Sequence, residues 1–341
     1  MKTTRFQTIT ARYPALKIAI VGDFCLDRYL EINPARAENS LETGLPVYNV
    51  ERVRAQPGGA GSILNNVAAL GAGEIFPVSF SGDDGEGFEL RRALAALPGV
   101  KLDHFLTTSQ RRTFTYCKPL VIELGQPPRE LNRLDSKNWT PTPAAVVEKL
   151  AASAVALLAR VDAVIVMDQV DVAETGVVTK SLLGALGQAT RGRPLPVVAD
   201  SRRGLHGFPS VIFKMNTAEL ATLCGLQGDL SVDQVRNAAA QLARKNQRMV
   251  FVTLAERGSV GAQPDGASEH VPSLPLRGPI DIVGAGDSVT ANLAMALAAG
   301  ATLREALVLA ALASSIVIHQ LGTTGTASPV QMAELLSALP V

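Results

Sequence analysis

The chain has 341 residues, of which 47% are apolar and 18% charged, so it can bury a sizeable core as one large α/β domain or two smaller ones. Its 32 Lys and Arg residues balance 31 Asp and Glu residues, and this net charge of +1 argues against nucleic-acid or membrane partners. The three cysteines show no paired or zinc-binding spacing, and neither a signal peptide nor a long apolar segment is visible. We therefore expect a soluble cytoplasmic protein.

Apolar, β-rich runs alternate along the chain with helical patterns. We predict strands over 17–21, 75–80, 163–167, 196–199, 211–214 and 249–254. We predict helices over 59–70, 85–97, 143–159, 174–189, 232–246 and 303–320. Such alternation is typical of a mostly parallel sheet covered by helices.

Two stretches, 28–56 and 111–124, are strand-like but polar at alternate positions. We predict that they form an antiparallel sheet outside the main core. Because they flank the first glycine cluster, we expect them to pair as a lid over a site or as a dimerisation surface.

A glycine-rich turn runs into a helix over Asp281 to Ser288, with the sequence DIVGAGDS. Gly284 and Gly286 let backbone N–H groups converge on an anion, and the helix dipole favours negative charge there. We expect Asp287, at the start of this helix, to stay ionised and to accept a proton from a hydroxyl group. The alternative is a simple helix-capping turn, which this segment alone does not exclude.

Other polar groups follow predicted strands, where open α/β sheets bind ligands. Asp23 and Asp27 follow the first strand; we interpret Asp23 as a turn cap or a ligand, and Asp27 as a residue that binds sugar hydroxyls. Gly58 and Gly59 open the next helix and allow a substrate close to the backbone.

Asn216 and Glu219 follow a later strand in the sequence NTAE. They can form a capping box, or they can orient the water shell of a magnesium ion that accompanies nucleotide phosphates. Thr253 to Gly258 ends the next strand in a turn that either holds part of a nucleotide or is a plain hairpin turn.

Taken in order, these motifs resemble the ribokinase-like, or PfkB, family of carbohydrate kinases over about residues 17–332. Within it, the chain is similar to the kinase domain of bacterial heptose 7-phosphate kinases, through Val21-Gly22-Asp23, Leu26 to Tyr29, Pro57 to Ala60 and Leu321-Gly322-Thr323. The resemblance implies a three-layer α/β/α sandwich with a mostly parallel central sheet, residues 1–341 forming one domain, and a small discontinuous β lid.

The resemblance also implies site roles. Asp287 would be the catalytic base, and the amides of Gly284, Ala285 and Gly286 would stabilise the transferring phosphoryl group. The sugar would contact Asp27, Gly58, Gly59 and Asn66. Mg²⁺-ATP would contact Asn216, Glu219, Thr253 and Gly258, with Glu219 reaching Mg²⁺ through water and residues near His319 closing the adenine side. A monovalent cation such as K⁺ near Asp281 and a homodimer formed through the lid are further implications.

The chain departs from the family pattern at several positions. Ser62 stands where a sugar-binding asparagine is common, with Asn65 and Asn66 on the same helix. Glu38 to Glu42 and Gln169 to Asp171 replace segments of the heptose kinases. A catalytically degenerate fold that senses a sugar or nucleotide is therefore an alternative; a dehydrogenase lacks its glycine motif after the first strand.

Overall fold

The computed structural model describes residues 1–339, so the last two residues of the predicted domain, 340 and 341, lie outside the described range. The strands are β1 (Lys17–Gly22), β2 (Phe24–Ile32), β3 (Glu38–Asn39), β4 (Pro46–Val47), β5 (Val50–Gly59), β6 (Glu74–Gly82), β7 (Phe105–Thr108), β8 (Thr115–Val121), β9 (Arg129–Glu130), β10 (Ala163–Asp168), β11 (Val197–Ser201), β12 (Ile212–Asn216), β13 (Val250–Thr253), β14 (Ser259–Ala262) and β15 (Ser268–Val271). The helices are α1 (Thr3–Thr10), α2 (Ala60–Ala69), α3 (Gly85–Ala95), α4 (Ala144–Leu157), α5 (Lys180–Ala189), α6 (Thr217–Cys224), α7 (Val232–Asn246), α8 (Ala285–Ala298), α9 (Leu303–Val317) and α10 (Pro329–Ala338).

The main sheet has nine strands in the order β15-β14-β13-β12-β11-β10-β1-β6-β7. The strands from β7 to β13 in this order are parallel, and β14 and β15 add an antiparallel hairpin at one edge. All six predicted strands lie in this sheet. The pattern missed β7 and the hairpin because these strands are only four residues long and half or more of their residues are polar or small, whereas the equally short β13 contains a continuous apolar run.

Helices cover both faces of the main sheet, because its buried strands carry apolar side chains on both sides. Ile18 and Ile20 of β1 join the core formed with α1, α2, α3, α8, α9 and α10. Ala19 and Val21 join the core formed with α4, α5, α6 and α7. The predicted three-layer α/β/α sandwich is confirmed. Within residues 1–339, no helix combines the length and the apolar character needed to span a membrane.

The predicted helix 174–189 is wrong over its first six residues, since α5 begins only at Lys180. Glu174 has a positive φ of 66°, and the Thr179 side chain caps α5 by accepting a hydrogen bond from Leu182 N–H. The preceding backbone instead holds Asp23, whose Oδ1 accepts from Val177 N–H at 2.6 Å.

A second sheet, in the order β5-β2-β8-β9, arises from the two stretches predicted as a lid. The prediction of a purely antiparallel sheet is wrong, because β2 pairs with β8 in parallel, while β2–β5 and β8–β9 are antiparallel. The chain enters β2 from β1 and enters β8 from β7, and β1 and β7 run in the same direction in the main sheet. Because β1 and β7 are parallel, the strands that follow them, β2 and β8, also run in the same direction and pair in parallel.

Candidate active site

The glycine-rich turn forms the N-terminus of α8. Gly284 precedes the helix with a φ of 81°, and the first α-helical bond runs from Ser288 N–H to Gly284 O at 3.0 Å. The N–H groups of Gly286 and Asp287 come before that bond and have no helical carbonyl partner. They can therefore bind an anion, which the helix dipole also favours.

Asp281 fastens this turn to the loop that follows α9. Its Oδ1 accepts a hydrogen bond from Val283 N–H at 3.0 Å, and its Oδ2 accepts one from Gly322 N–H at 3.2 Å. On the same loop, Thr324 accepts a hydrogen bond from Gln56 of β5 at 3.1 Å. Asp281 therefore positions the turn, and its role at a monovalent cation stays a prediction.

A buried ion pair that the motif reading did not single out lies beneath the turn. Lys214 Nζ of β12 is 2.7 Å from Asp200 Oδ2 of β11, and the two side chains are 8% and 10% exposed. Thr290 Oγ1 of α8 donates to the same Asp200 oxygen at 2.9 Å. The signal in the sequence is a lysine inside the otherwise apolar run Val211 to Met215.

The environment of Asp287 raises its pKa from 3.8 to about 7. Burial is the largest cause, the charge of Asp200 adds to it, and Lys214 opposes it. Near neutral pH the Asp287 carboxyl group is therefore only partly ionised, because burial disfavours its negative charge. Its role as the catalytic base stays a prediction. A carboxyl group with this pKa is well suited to accept and release a proton near pH 7.

Asp27 of β2 faces the same space from the second sheet. A Cβ atom placed on Gly58 would lie 2.5 Å from Asp27 Oδ2, and one on Gly59 would lie 2.6 Å from Asp23 O. Burial and the charges of Asp27 and Asp287 raise the pKa of the Cys25 thiol, and the charge of Asp27 also raises the pKa of Asp287, so these groups lie close to one another. The structure thus brings Asp27, Gly58 and Gly59 opposite Asp287.

We call the side of the second sheet that carries Asp27 its inner face. The strand register places Gln56 and Tyr116 beside Asp27, and Arg54 and Lys118 beside Tyr29. Lys118 Nζ lies 3.5 Å from Asp27 Oδ1. Arg54 and Lys118 both stack on the Tyr29 ring, and Arg133 stacks on the Tyr116 ring with its guanidinium 4.5 Å from the ring centre. Lys137 also lies over the Tyr116 ring, at 5.6 Å from its centre. The inner face therefore combines four cations with two aromatic rings, and each cation also pairs with a carboxylate: Glu31, Asp27, Asp135 and Asp171.

Asn216 and Glu219 form the capping box that the sequence left as one alternative. Asn216 Oδ1 accepts from Glu219 N–H at 2.9 Å, and Glu219 Oε2 accepts from Asn216 N–H at 2.8 Å. Thr253 pairs with Asn216 in the sheet. Gly258 has a φ of 91°, and a Cβ atom there would lie 2.1 Å from Val271 O, so packing requires glycine at this position. The predicted nucleotide roles of these four residues stay predictions.

Asn66 and His319 are occupied by structural hydrogen bonds. Asn66 is 2% exposed, and its Nδ2 donates to Ser62 O and Gly325 O. Arg277 N–H donates to His319 Nε2, while His319 Nδ1 donates to Ser315 O. Such placement is typical of side chains that fasten loops, so direct contact of either with a ligand stays a prediction.

Solved structures share this arrangement of sheets and helices. Ribokinase of Arabidopsis thaliana, solved with ribose and ATP, has a TM-score of 0.68 and 19% identity and covers 95% of this chain and 99% of its own. Phosphofructokinase-2 of Escherichia coli, solved with substrates and products, has a TM-score of 0.70 and 18% identity with the same coverage, 95% and 99%. The fold is ribokinase-like.

Curated relatives agree. The bifunctional protein HldE of Azorhizobium caulinodans is 32% identical over 324 residues, 94% of this chain, and that of Azotobacter vinelandii is 33% identical over 320 residues, 93% of this chain. This chain spans 64% and 63% of the lengths of these two relatives. The sequence profile of the pfkB family carbohydrate kinases matches residues 16–330, and the chain belongs to that family. The prediction of a carbohydrate kinase is confirmed at the level of this class.

Proposed function

We propose that the protein transfers the γ-phosphoryl group of ATP to a hydroxyl group of a sugar or phosphosugar. The observation that carries this proposal is the position of Asp287, at an anion-binding helix start and opposite Asp27, with its pKa raised to about 7. Asp287 accepts the proton of the attacking hydroxyl, and the amides of Gly284, Ala285 and Gly286 stabilise the phosphoryl group. A sensor would not need a base matched to neutral pH.

The acceptor lies between Asp27 and Asp287. Asp27 is almost fully buried and retains one cationic neighbour, Lys118, at 3.5 Å. Its free carboxylate oxygen accepts hydrogen bonds from sugar hydroxyls, and the glycines at 58 and 59 let the sugar approach the backbone. This contact fixes which hydroxyl reaches Asp287.

We propose that the acceptor is already phosphorylated. The inner face carries Arg54, Lys118 and Arg133 around two tyrosine rings. Their present partners are the carboxylates of Glu31, Asp27 and Asp135, and a substrate phosphate would compete with these carboxylates for the cations. Guanidinium groups bind phosphate through paired hydrogen bonds, and the rings hold the cations in place. Heptose 7-phosphate and fructose 6-phosphate are acceptors of this chemical class.

The nucleotide occupies the opposite side of the turn, next to Asn216, Glu219, Thr253 and Gly258. Burial and the charge of Asp200 raise the pKa of the Glu219 carboxyl group. A magnesium ion held through water would stabilise the charged form of Glu219 against both effects, so Glu219 fits such an ion. When bound, Mg²⁺ neutralises charge on the phosphates. A monovalent cation at Asp281 is a further element of the proposal.

We also propose a homodimer formed through the second sheet. Leu45, just before β4, Tyr48, between β4 and β5, and Val53, in β5, are 65%, 58% and 46% exposed. Neighbouring apolar side chains at a sheet edge favour association with a second copy. Light scattering of wild type and of Val53→Lys would test this: the wild type should be dimeric and the variant monomeric.

The experiment that tests the kinase proposal is a coupled ADP-release screen. Wild type is assayed with ATP, Mg²⁺ and a panel that pairs phosphorylated sugars with their unphosphorylated forms. Acceptor-dependent ADP release supports the proposal. Binding of sugar and ATP without any ADP release would support the sensor instead.

A further inference from the structure

We infer that Lys214 is a further catalytic residue, whose ammonium group contacts the transferring phosphoryl group and completes the anion-binding turn. The inference rests on the proposed function. It concerns a residue outside the glycine-rich turn itself, which approaches that turn from the main sheet.

Lys214 points to the face of the main sheet on which α8 packs. On β12, Phe213 and Met215 join the core on the opposite face, and Ile212 joins the α8 core together with the side chain of Lys214. The Lys214 side chain is only 8% exposed. Burying its charge costs a large desolvation free energy, which must be offset by an ion pair or by binding an anion.

The ammonium group lies against the second glycine of the turn. A Cβ atom placed on Gly286 would be 3.2 Å from Lys214 Nζ, and apart from the adjoining residues and the backbone of α8 itself, no other atom of the described residues would lie within 4 Å of it. The Gly286 amide and the ammonium group therefore border the same open space. An anion bound by the amides of the turn would lie within reach of the ammonium.

The ammonium group has donors to spare. It carries three N–H bonds, and within residues 1–339 its hydrogen-bond acceptor is Asp200 Oδ2, at 2.7 Å. That oxygen also accepts from Thr290, so Asp200 is held by two partners while Lys214 is held by one. The remaining N–H bonds are available to phosphoryl oxygens.

The local charge requires a cation at this point. Asp200, Asp287 and Glu219 all lie close enough to Lys214 to interact with its charge. A phosphoryl group arriving among these carboxylates would be repelled without a compensating cation, and in this buried corner the interaction is poorly screened.

The transfer step balances without proton transfer by Lys214. The acceptor oxygen forms a bond to the γ-phosphorus as its proton passes to Asp287, and the bond from phosphorus to the ADP oxygen breaks with its electron pair leaving on ADP. Lys214 donates hydrogen bonds to the phosphoryl oxygens throughout.

The test uses two variants that lack the ammonium group. Lys214→Met combined with Asp200→Asn removes both buried charges, which is tolerated better than removing one of them. Lys214→Gln can still donate a hydrogen bond to Asp200. It therefore provides a second variant without the ammonium group in case the double variant does not fold. Thr290→Val is the matched control, because it removes the other hydrogen bond to Asp200 and keeps the ammonium group.

We expect both lysine variants to lose on the order of 10²–10³ in kcat, as for loss of one anion-hole donor, and Thr290→Val to lose less than about tenfold. Calorimetry with Mg²⁺ should show the ratio of ATP to ADP affinity falling by about tenfold in the lysine variants only.

Folded lysine variants with wild-type kcat and wild-type ATP preference would overturn the inference. So would an equal loss in Thr290→Val, since the network would then serve only to pack α8. If wild type phosphorylates no acceptor, the proposed function fails, and the ATP-to-ADP affinity ratio still decides the role of Lys214.

Discussion

The first turn of α8 and the inner face of the second sheet both carry charges, but they hold them differently. Beneath the turn, Lys214 and Asp200 are at most 10% exposed and are hydrogen-bonded to each other, and Asp200 also accepts a hydrogen bond from Thr290. On the inner face, the side chains of Arg54 and Arg133 are 37% and 41% exposed and stack on rings. Buried charges held in fixed positions can stabilise the transferring phosphoryl group, which is the same for every acceptor. Partly exposed charges can instead attract and select the acceptor.

Asp287→Asn should have the largest effect. It removes the base without changing the shape of the turn, so we expect kcat to fall by about 10³ while ATP affinity stays within about threefold of wild type. Steady-state kinetics and calorimetry measure the two quantities. The variant should also be more stable than wild type at pH 8, because a buried charge is lost, and this difference should shrink as the pH falls below about 7 and vanish only below 3.8, where Asp287 is protonated in the unfolded chain as well. Wild-type turnover would remove Asp287 from the chemistry.

Two glycines with similar backbone strain compare the first turn of α8 with a surface loop far from the glycine-rich turn in sequence. Gly284 and Gly44, in the loop between β3 and β4, have φ of 81° and 70°, and a Cβ atom would meet nothing closer than 3.5 Å at either. Alanine at each should cost about 1 kcal/mol of unfolding free energy. Only Gly284→Ala should lower kcat, by roughly tenfold to a hundredfold, because it moves the amides of the turn. Equal kcat in the two variants would show that the geometry of the Gly284 turn does not matter for catalysis.

The pH dependence tests the buried carboxyl group. Asp287 must be deprotonated to accept a proton, and its pKa is raised to about 7, so kcat/KM should fall tenfold per pH unit below that value and level off above it. Rates measured from pH 5.5 to 8.5 with a non-titrating acceptor check this. A flat profile would show that another group, or a much less buried Asp287, limits the rate.

Lys118→Met should have the smallest effect, and a selective one. Loss of one inner-face cation should raise KM for a phosphorylated acceptor by about tenfold and change KM for the unphosphorylated form less than about threefold. Arg36→Met is the matched control, since Arg36 pairs with Glu51 at the surface with 68% of its side chain exposed. Equal effects on both acceptors would place Lys118 at the sugar rather than at a phosphate.

Much of the main sheet could be predicted from the sequence, because β1, β6, β10, β11, β12 and β13 are continuous apolar runs. The glycine turn before α8 was equally visible, since Gly284 and Gly286 flank a helix start. The parallel pairing of β2 with β8 could not be read, because it depends on the directions in which distant strands leave the main sheet. The predicted helix includes Glu174 to Thr179 although the glycine and β-branched residues of this stretch are poor helix formers, and Asp23 holds this backbone in another conformation.

The sequence motifs predicted which residues could belong to the site, but not how their charges affect one another. Asp27, Gly58, Gly59 and Asp287 could be named from turns at strand ends. The raised pKa of Asp287 could not be predicted, because it depends on burial and on the charge of Asp200. Asp200 lies close to α8 only because that helix packs on β11 in the folded protein. For the same reason Lys214 was missed, and its only signal in the sequence is a charged residue in an otherwise apolar strand.

The most direct test of the kinase proposal is phosphorus NMR of the products formed by wild type from ATP with a matched pair, such as heptose 7-phosphate and the free heptose. We expect one new phosphomonoester per ADP with the phosphorylated acceptor, much slower formation with the free sugar, and no product with Asp287→Asn. Unchanged ATP with every acceptor, or equal rates with the two members of the pair, would contradict it.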